Sequence, residues 1–217
     1  MTRKLKALGL ALFAVCALGA TMASGASAEV NIFDSAVEST VLTGTSENAQ
    51  VFTRNGVKLE CTHAEFVGSA TGKSTSVTSF NVVNYTTPTC SGPLGTEVHW
   101  DYSTGGCITK MIGTASKTGL HLIICTKSEE AVIVTPTVFG SSLCTIKLPS
   151  QETGGHYTLV NTVGGRVTLN LTIGGVTSTR TGSSACGPAS DTAATFTGNA
   201  VIEGETGSGE HVNIEVT

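Results

Sequence analysis

The chain has 217 residues, of which only 13% are charged, and its formal net charge is −4. A mildly acidic chain with few, scattered basic residues is a poor partner for nucleic acid or for anionic membrane surfaces. Threonine (35 residues) and glycine (26 residues) are the most frequent residue types, and they favour strands and turns respectively.

The first 28 residues have the features of a secretory signal peptide. Arg3, Lys4 and Lys6 precede an apolar run over residues 7–20, and the sequence Ala-Ser-Ala ends at Ala28. This order predicts export with cleavage after Ala28, and a retained N-terminal anchor is the alternative. Cleavage leaves nine of the twelve basic residues against all sixteen acidic ones, a net charge of about −7. No second long apolar run follows, so a secreted, extracellular protein without a transmembrane segment is expected.

Residues 29–217 read as a series of short strands at intervals of roughly ten residues. In the run RVTLNLTI, the apolar residues alternate strictly with polar ones, which is typical of a strand buried on one side. These patterns predict an all-β, antiparallel β-sandwich or barrel-like fold. We expect a single domain over 29–217, and two small β domains dividing near 136–140 are the alternative.

Several connections between these runs have the residues of tight turns. Asn55-Gly56 lies between two strand-like runs, and both residues accept a positive φ, so a two-residue hairpin is predicted. Gly164-Gly165 and Gly174-Gly175 flank the RVTLNLTI run and are expected to form turns. The glycine-rich segment 206–210 is expected to connect the last two strands.

Seven cysteines are present, and one of them, Cys16, falls in the signal peptide. An even number of six then remains in an exported chain, which predicts three disulfides. The two closest, Cys90 and Cys107, are seventeen residues apart, a spacing that argues against a zinc site. The six are Cys61, Cys90, Cys107, Cys125, Cys144 and Cys186.

The segment EVHWDYSTGGC, residues 97–107, concentrates chemically capable side chains. His99, Asp101, Tyr102 and Cys107 within so short a stretch suit an active site, or the two strands of a hairpin. Alternation along a strand places Trp100 and Tyr102 on one face and His99 and Asp101 on the other. We therefore favour a hairpin with its turn at 103–106.

The hairpin interpretation fixes a register. It places Trp100 opposite Thr109, and a following loop at 113–119 then places Cys107 directly opposite Cys125. Directly opposed residues of neighbouring strands have Cβ atoms within disulfide range. The predicted bridges are therefore Cys107–Cys125 from register, and Cys61–Cys90 and Cys144–Cys186 from proximity in sequence.

Motifs of catalysis and cofactor binding are missing from the sequence. The five histidines form neither H-x-H nor H-E-x-x-H, and neither a G-x-S-x-G elbow nor a phosphate-binding glycine loop is present. The sequence accordingly predicts no catalytic, metal-binding or cofactor-binding residue and no cofactor.

Three segments carry a resemblance to other proteins. CTHAEFVGSATG (61–72), CTIKLPSQ (144–151) and ATFTGNAVIEGE (194–205) resemble segments of uncharacterised secreted, cysteine-containing β-rich bacterial proteins. The resemblance covers most of residues 57–217. It implies an exported, disulfide-bonded β protein and transfers no functional residues.

The function expected from these observations is that of a non-enzymatic secreted or cell-surface protein, structural or adhesive in role. A carbohydrate- or cell-wall-binding module is the first alternative, which an exposed aromatic platform around Trp100 or Tyr157 would favour. A secreted hydrolase is the second, which a pocket converging on His99, Asp101 or another His–acid pair would favour. The partner is unknown, with a cell-wall or glycan ligand as the candidate.

Overall fold

A computed structural model of the protein describes residues 31–38, 40–71, 76–77, 79–102, 106–113, 120–127 and 130–217. The predicted signal peptide, residues 1–28, lies outside the described residues, as does most of the predicted turn at 103–106.

Strands make up almost all of the regular structure in the described residues, and they are numbered here in chain order. They are β1 (Phe33–Ser35), β2 (Val41–Ser46), β3 (Gln50–Arg54), β4 (Val57–Thr71), β5 (Ser76–Val77), β6 (Ser79–Ser91), β7 (Glu97–Asp101), β8 (Ile108–Ile112), β9 (Leu120–Ile124), β10 (Ala131–Val138), β11 (Ser141–Ser142), β12 (Cys144–Pro149), β13 (Gln151–Thr162), β14 (Arg166–Gly182), β15 (Ser190–Glu205), β16 (His211–Val212) and β17 (Ile214–Glu215). Two 3-10 turns, Pro93–Gly95 and Ser184–Cys186, lie between strands.

The strands close into an eight-position antiparallel barrel whose order around the wall follows the chain. Four positions are each filled by one long strand: β4, β6, β14 and β15. The other four are each filled by two short strands end to end, which we call composite strands: β2–β3, β7–β8, β9–β10 and β12–β13. Beginning at β2–β3, each position pairs with the next, and β15 pairs with both β2 and β3 to close the ring. The all-β prediction is confirmed, and the architecture is the barrel of the two that were expected.

The two ends of the barrel differ. At one end, which we call the capped end, β1 pairs with β5 and β17 in a small separate sheet. Phe33 and Ile214 of this sheet are fully buried. At the other end, which we call the loop end, the wall strands are joined by turns at 55–56, 92–96, 139–140 and 183–189. Strands on both sides of 136–140 belong to one continuous sheet.

The barrel interior is filled by the alternating apolar residues of the wall strands. In β14, Val167, Leu169, Leu171 and Ile173 are buried, whereas the residues between them are exposed or half-buried. This confirms the one-sided burial predicted for RVTLNLTI, which follows from the two-residue period of a strand.

Three of the predicted turns form as expected, among them Gly164-Gly165, which joins β13 to β14 between the paired residues Thr162 and Arg166. Arg54 pairs with Val57 across Asn55-Gly56, whose φ angles are 44° and 81°, so the two-residue hairpin is confirmed. The segment 206–210 closes on itself through the Thr206 N–H and the Glu210 carbonyl, between β15 and β16.

The predicted turn at Gly174-Gly175 is wrong. β14 continues through these residues to Gly182, and its pairing with β15 shifts between Ile173 and Val176. A glycine pair inside a strand accommodates a bulge as readily as a turn, since Gly175 adopts a φ of 68° without steric cost. The two glycines therefore bend a long strand instead of ending it.

The predicted hairpin register of residues 97–112 is also wrong. Trp100 lies opposite Val134 of β10, and Thr109 lies opposite Val82 of β6 and Ile123 of β9. β7 and β8 run in the same direction as one composite strand, because both pair antiparallel with β6. The face assignment is nevertheless right, because alternation does not depend on which strand is the neighbour.

The structure contains three disulfides, the same pairs that the sequence predicts: Cys61–Cys90, Cys107–Cys125 and Cys144–Cys186. The first joins directly opposed residues of β4 and β6. The second lies at the junction of composite strands, beside the first pair of β8 with β9. The third joins the start of β12 to the turn that follows β14.

Candidate functional site

A cavity of about 40 Å³ lies inside the barrel at the level where the composite strands are interrupted. Its wall comes from the end of β7, from β8 and β9, from the end of β12, and from β3, β14 and β15. The cavity is partly open to solvent and is lined by Phe52, Trp100, Tyr102, Thr109, Met111, His121, Ile123, Leu148, Leu171, Ile173, Val176 and Phe196.

Three aromatic rings form one side of this cavity. Phe52 of β3 and Phe196 of β15 are paired across neighbouring strands. Trp100 meets both rings edge-on, with centroids 5.9 Å from Phe52 and 6.5 Å from Phe196. Edge-to-face packing of this kind is favourable beyond the area that it buries, so the indole is held in a defined orientation.

His121 supplies a polar group on the opposite side. The Thr153 hydroxyl donates to the His121 carbonyl oxygen at 3.1 Å, which uses its only hydrogen. The 2.9 Å contact between His121 Nδ1 and Thr153 Oγ1 is a hydrogen bond whose direction depends on the ring tautomer. With the Thr153 proton on the carbonyl oxygen, Nδ1 is the donor and Nε2 carries the lone pair.

Burial keeps His121 neutral. The residue is only 8% exposed, and desolvation lowers its pKa to about 4. At neutral pH the imidazole therefore presents the Nε2 lone pair and no positive charge.

Three further lining residues carry polar groups: Trp100, Tyr102 and Thr109. The indole Nε1–H of Trp100 is buried and has no hydrogen-bond partner among the described residues. Thr109 is buried too and contributes a hydroxyl. The residues that line the cavity include no carboxylate, lysine, arginine or cysteine, so the site can bind a neutral polar group but holds no acid–base pair.

The suspected cluster at 97–107 is divided by the barrel wall. Trp100 and Tyr102 line the interior cavity, whereas His99 is on the outside, with 59% of its side chain exposed and its Nε2 3.8 Å from Glu97 Oε1. Asp101 belongs to the outward-facing alternation of His99 and is half-buried. The structure therefore does not bring the histidine and the aspartate to the cavity.

A second feature lies at the loop end. Three non-glycine residues adopt positive φ angles in the described part of the chain, and all three belong to loop-end turns: Asn55 (44°), Leu94 (60°) and Phe139 (48°). Asparagine tolerates this conformation, whereas bulky apolar residues rarely adopt it. Leu94 and Phe139 are also highly exposed, at 79% and 104%.

Elsewhere on the surface, His63 Nε2 lies 3.1 Å from Glu65 Oε1, and both side chains are about half exposed. Two groups of this kind do not make a metal site. Within the described ranges, no group of three or more His, Cys, Asp or Glu residues is placed to hold a metal ion.

The sequence contained a signal for His121 that went unused. In the run LHLII, alternation places His121 on the same face as Ile123, an apolar residue of the kind that fills a core. A histidine on a core face is a candidate for a buried polar site. The loop-end residues had a weaker signal, the adjacency of Leu94 and Phe139 to glycines that favour turns.

Comparison with known proteins adds no relative: no family model, curated protein or solved structure matches the chain. Within the described residues, no helix has the length and apolar character needed to cross a membrane.

Proposed function

We propose that this protein is an exported, non-enzymatic binding protein with an adhesive role at the cell surface, and that it binds through the loop end of its barrel. The observation that supports the proposal is the exposure of Leu94 and Phe139 on left-handed turn positions at one end of the molecule. Exposed apolar side chains on rigid turns are typical of binding surfaces.

The turn at 139–140 provides most of the support for this proposal. Phe139-Gly140 is a two-residue hairpin with Val138 paired to Ser141, and its φ angles are 48° and 75°. Asn55-Gly56 has nearly the same geometry, with 44° and 81°, and uses the residue that such turns prefer. Phenylalanine in the same position costs the fold about 1 kcal/mol, and we propose that contacts of the exposed ring with a binding partner offset this cost.

The neighbouring turn presents Leu94 in a similarly fixed way. The backbone N–H of Gly92 donates to the Thr96 carbonyl oxygen at 2.9 Å, and the Thr96 N–H donates to Pro93 at 3.2 Å. This small closed loop holds Leu94 outward. Glu97, which follows it, pairs with Thr137 of β10, so the two turns are neighbours on the loop end.

Retention on envelope material tests the proposal. Purified residues 29–217 would be incubated with cell-wall fractions and a glycan panel, and compared with Phe139→Asn and Leu94→Ser. We expect both variants to lose at least tenfold in retention, and Phe139→Asn to gain about 1 kcal/mol in stability because asparagine suits the turn. The matched control is Val163→Ser, which removes a 92% exposed apolar residue from the capped end.

The two outcomes are easily separated. Loss of retention with gained stability supports binding through Phe139, because damage to the fold cannot explain it. Equal retention of wild type, Phe139→Asn and Leu94→Ser would overturn the proposal.

A carbohydrate- or cell-wall-binding module is the second candidate. Trp100 and Tyr157 do not form the exposed aromatic platform that would favour it, since Tyr157 is 3% exposed and Trp100 faces the interior. The support for it is the partly open cavity with its aromatic wall. A hydrolase has less support, because the histidine in the cavity has no acidic partner among the lining residues.

A further inference from the structure

We propose that the loop end inserts Leu94 and Phe139 into the surface of a lipid bilayer whose headgroups are zwitterionic. This partner rests on the function proposed above, since it is assigned to the same surface. Three properties of the loop end favour it: the turns are uncharged, their backbone is hydrogen-bonded, and the two apolar side chains project separately.

The turns of the loop end form a continuous, uncharged surface. Pairing of β7 with β10 places the turn at 92–96 beside the turn at 139–140, and residues 93–95 also lie against residues 184–186. The four loop-end turns contain no acidic or basic residue, and Arg54, which precedes the first of them, is buried. Because charged groups are the most costly to bring against lipid, this end can approach a bilayer without removing a charge from water.

The backbone of these turns is hydrogen-bonded within the loop end. The N–H groups of Gly92 and Thr96 donate inside their own turn, and Pro93 between them has no N–H. In the turn at 183–189, three more N–H groups donate to carbonyl oxygens of the loop end: those of Ser183, Cys186 and Gly187. Peptide groups without partners are costly near lipid, so turns whose donors are already satisfied enter the interface more easily.

Leu94 and Phe139 project from this surface as separate points. Leu94 is 79% exposed and Phe139 is 104% exposed, so both side chains reach into solvent. A rigid protein partner would need a matching pocket for each of them, whereas a fluid lipid layer closes around a projecting group of any shape. Both side chains stand on hydrogen-bonded turns, which limits the conformational entropy lost when they insert. The geometry therefore favours lipid over a second protein surface.

The flanking charges select the headgroup and limit the depth. Glu97 follows the turn at 92–96, and its side chain is 74% exposed. Together with the net negative charge of the exported chain, this carboxylate disfavours anionic lipids. A carboxylate is also costly below the headgroups, so only the turns enter. The expected contact is shallow, at the boundary between headgroups and acyl chains.

Binding to phosphatidylcholine vesicles tests this partner. The exported chain, residues 29–217, would be mixed with vesicles and the bound fraction measured by flotation. Two inserted apolar side chains support half-maximal binding at about 1 mM lipid. We expect Phe139→Asn and Leu94→Ser each to weaken binding about tenfold or more, and vesicles that contain phosphatidylglycerol to bind less protein than pure phosphatidylcholine.

Val163→Ser is the matched control, because it also removes a highly exposed apolar side chain. Val163 is 92% exposed on the turn that precedes Arg166 at the capped end, where Arg166 forms an ion pair with Glu203. Charges beside that turn oppose insertion, so the variant is expected to bind vesicles as the wild type does. Phe139→Asn suits its turn, so its loss of binding cannot be attributed to unfolding.

A tryptophan at the tip reports the depth. The native Trp100 is the only tryptophan and faces the interior of the barrel. In Phe139→Trp, vesicles are expected to shift the added emission to shorter wavelength, and lipids brominated on their acyl chains to quench it. Val163→Trp, at the capped end, should show neither effect.

The lipid partner and the proposed function can fail separately. No binding to phosphatidylcholine vesicles up to about 10 mM lipid, or equal binding by wild type and Phe139→Asn, would overturn the lipid partner. If cell-wall fractions or glycans still retained the protein through Phe139, the proposed function would stand with a different partner. A dimer that Phe139→Asn disperses, together with no vesicle binding, would assign the loop end to a second copy of the chain and likewise overturn the lipid partner.

Discussion

Arg54 and Ser178 are joined by a hydrogen bond inside the loop end, with Arg54 Nε donating to Ser178 Oγ at 2.7 Å. The arginine is 1% exposed, and its NH1 also donates to the Cys186 carbonyl oxygen at 3.1 Å. Burial lowers the pKa of this guanidinium, and the negative charge of Asp191 opposes that shift. One side chain thus connects β3, β14 and the turn that holds a disulfide.

Replacement of this arginine is expected to destabilise the barrel strongly. Arg54→Met removes both hydrogen bonds, leaves the buried Cys186 carbonyl oxygen without its donor and removes the attraction to Asp191, which costs about 2–4 kcal/mol. Urea unfolding measures the loss. Arg166→Met is the control: its ion pair with Glu203 is well exposed, so the expected change is below about 1 kcal/mol. Equal effects of the two substitutions would contradict this account of Arg54.

The buried His121 makes stability depend on pH. Its pKa is about 4 in the folded protein and about 6.5 in an unfolded chain. Between these values the unfolded chain binds more protons than the folded one, so stability falls as the pH is lowered from 6.5 to 4. The full loss is about 3 kcal/mol, and it is complete below pH 4.

Urea midpoints at several pH values would measure this dependence. His121→Leu should flatten the profile between pH 4 and 6.5 relative to wild type, whereas His99→Leu should not. A wild-type profile that matches that of His121→Leu would show that the imidazole is not buried and neutral.

Gly44 is required for the packing of Phe66. The two residues are opposite each other on β2 and β4, and a Cβ at Gly44 would overlap the Phe66 ring. Gly44→Ala is therefore expected to cost about 1–3 kcal/mol through overpacking. Gly154→Ala is the matched control, since its Cβ would meet nothing closer than 3.7 Å; thermal unfolding of the pair should show a loss only for the first.

The three disulfides are expected to stabilise the protein to similar extents. Their sequence separations are 18, 29 and 42 residues. The entropy that a crosslink removes from the unfolded chain grows only slowly with the length of the loop that it closes. Replacing any one of the three cysteine pairs by alanine should cost about 3–4 kcal/mol, with Cys144–Cys186 the most costly. Peptide mapping without reduction tests the pairing itself, which a Cys125–Cys144 crosslink would contradict.

The faces of the strands could be predicted from the sequence, but the neighbours of β7 could not. Alternation depends only on the strand itself, so Trp100 and His99 were assigned to opposite sides correctly. Pairing depends on competing partners. The residues Ser-Thr-Gly-Gly suit a hairpin turn, yet β7 pairs with β10 and β6 and thereby leaves no edge open.

The cysteine pairs were predicted correctly for a related reason. The β8–β9 register is local, with Ile112 opposite Leu120, and it carries Cys107 to Cys125 whatever β7 does. The cavity could not be predicted in this way. Its volume depends on how Phe52, Trp100 and Phe196, which are distant from one another in the chain, pack inside the barrel. Residue spacing contains no information about such a volume.

The closure of the ring by β15 against β2 and β3 predicts an order of assembly. Residues 41–54 have no partner on their open side until residues 190–205 are available, and such distant pairing forms slowly. Each disulfide, by contrast, links parts of the wall that follow one another in the chain. All three disulfides can therefore form while the wall is still an open sheet with two free edges. The final closure of the barrel is then stabilised by backbone hydrogen bonds and side-chain packing alone, without a disulfide across the closing strands.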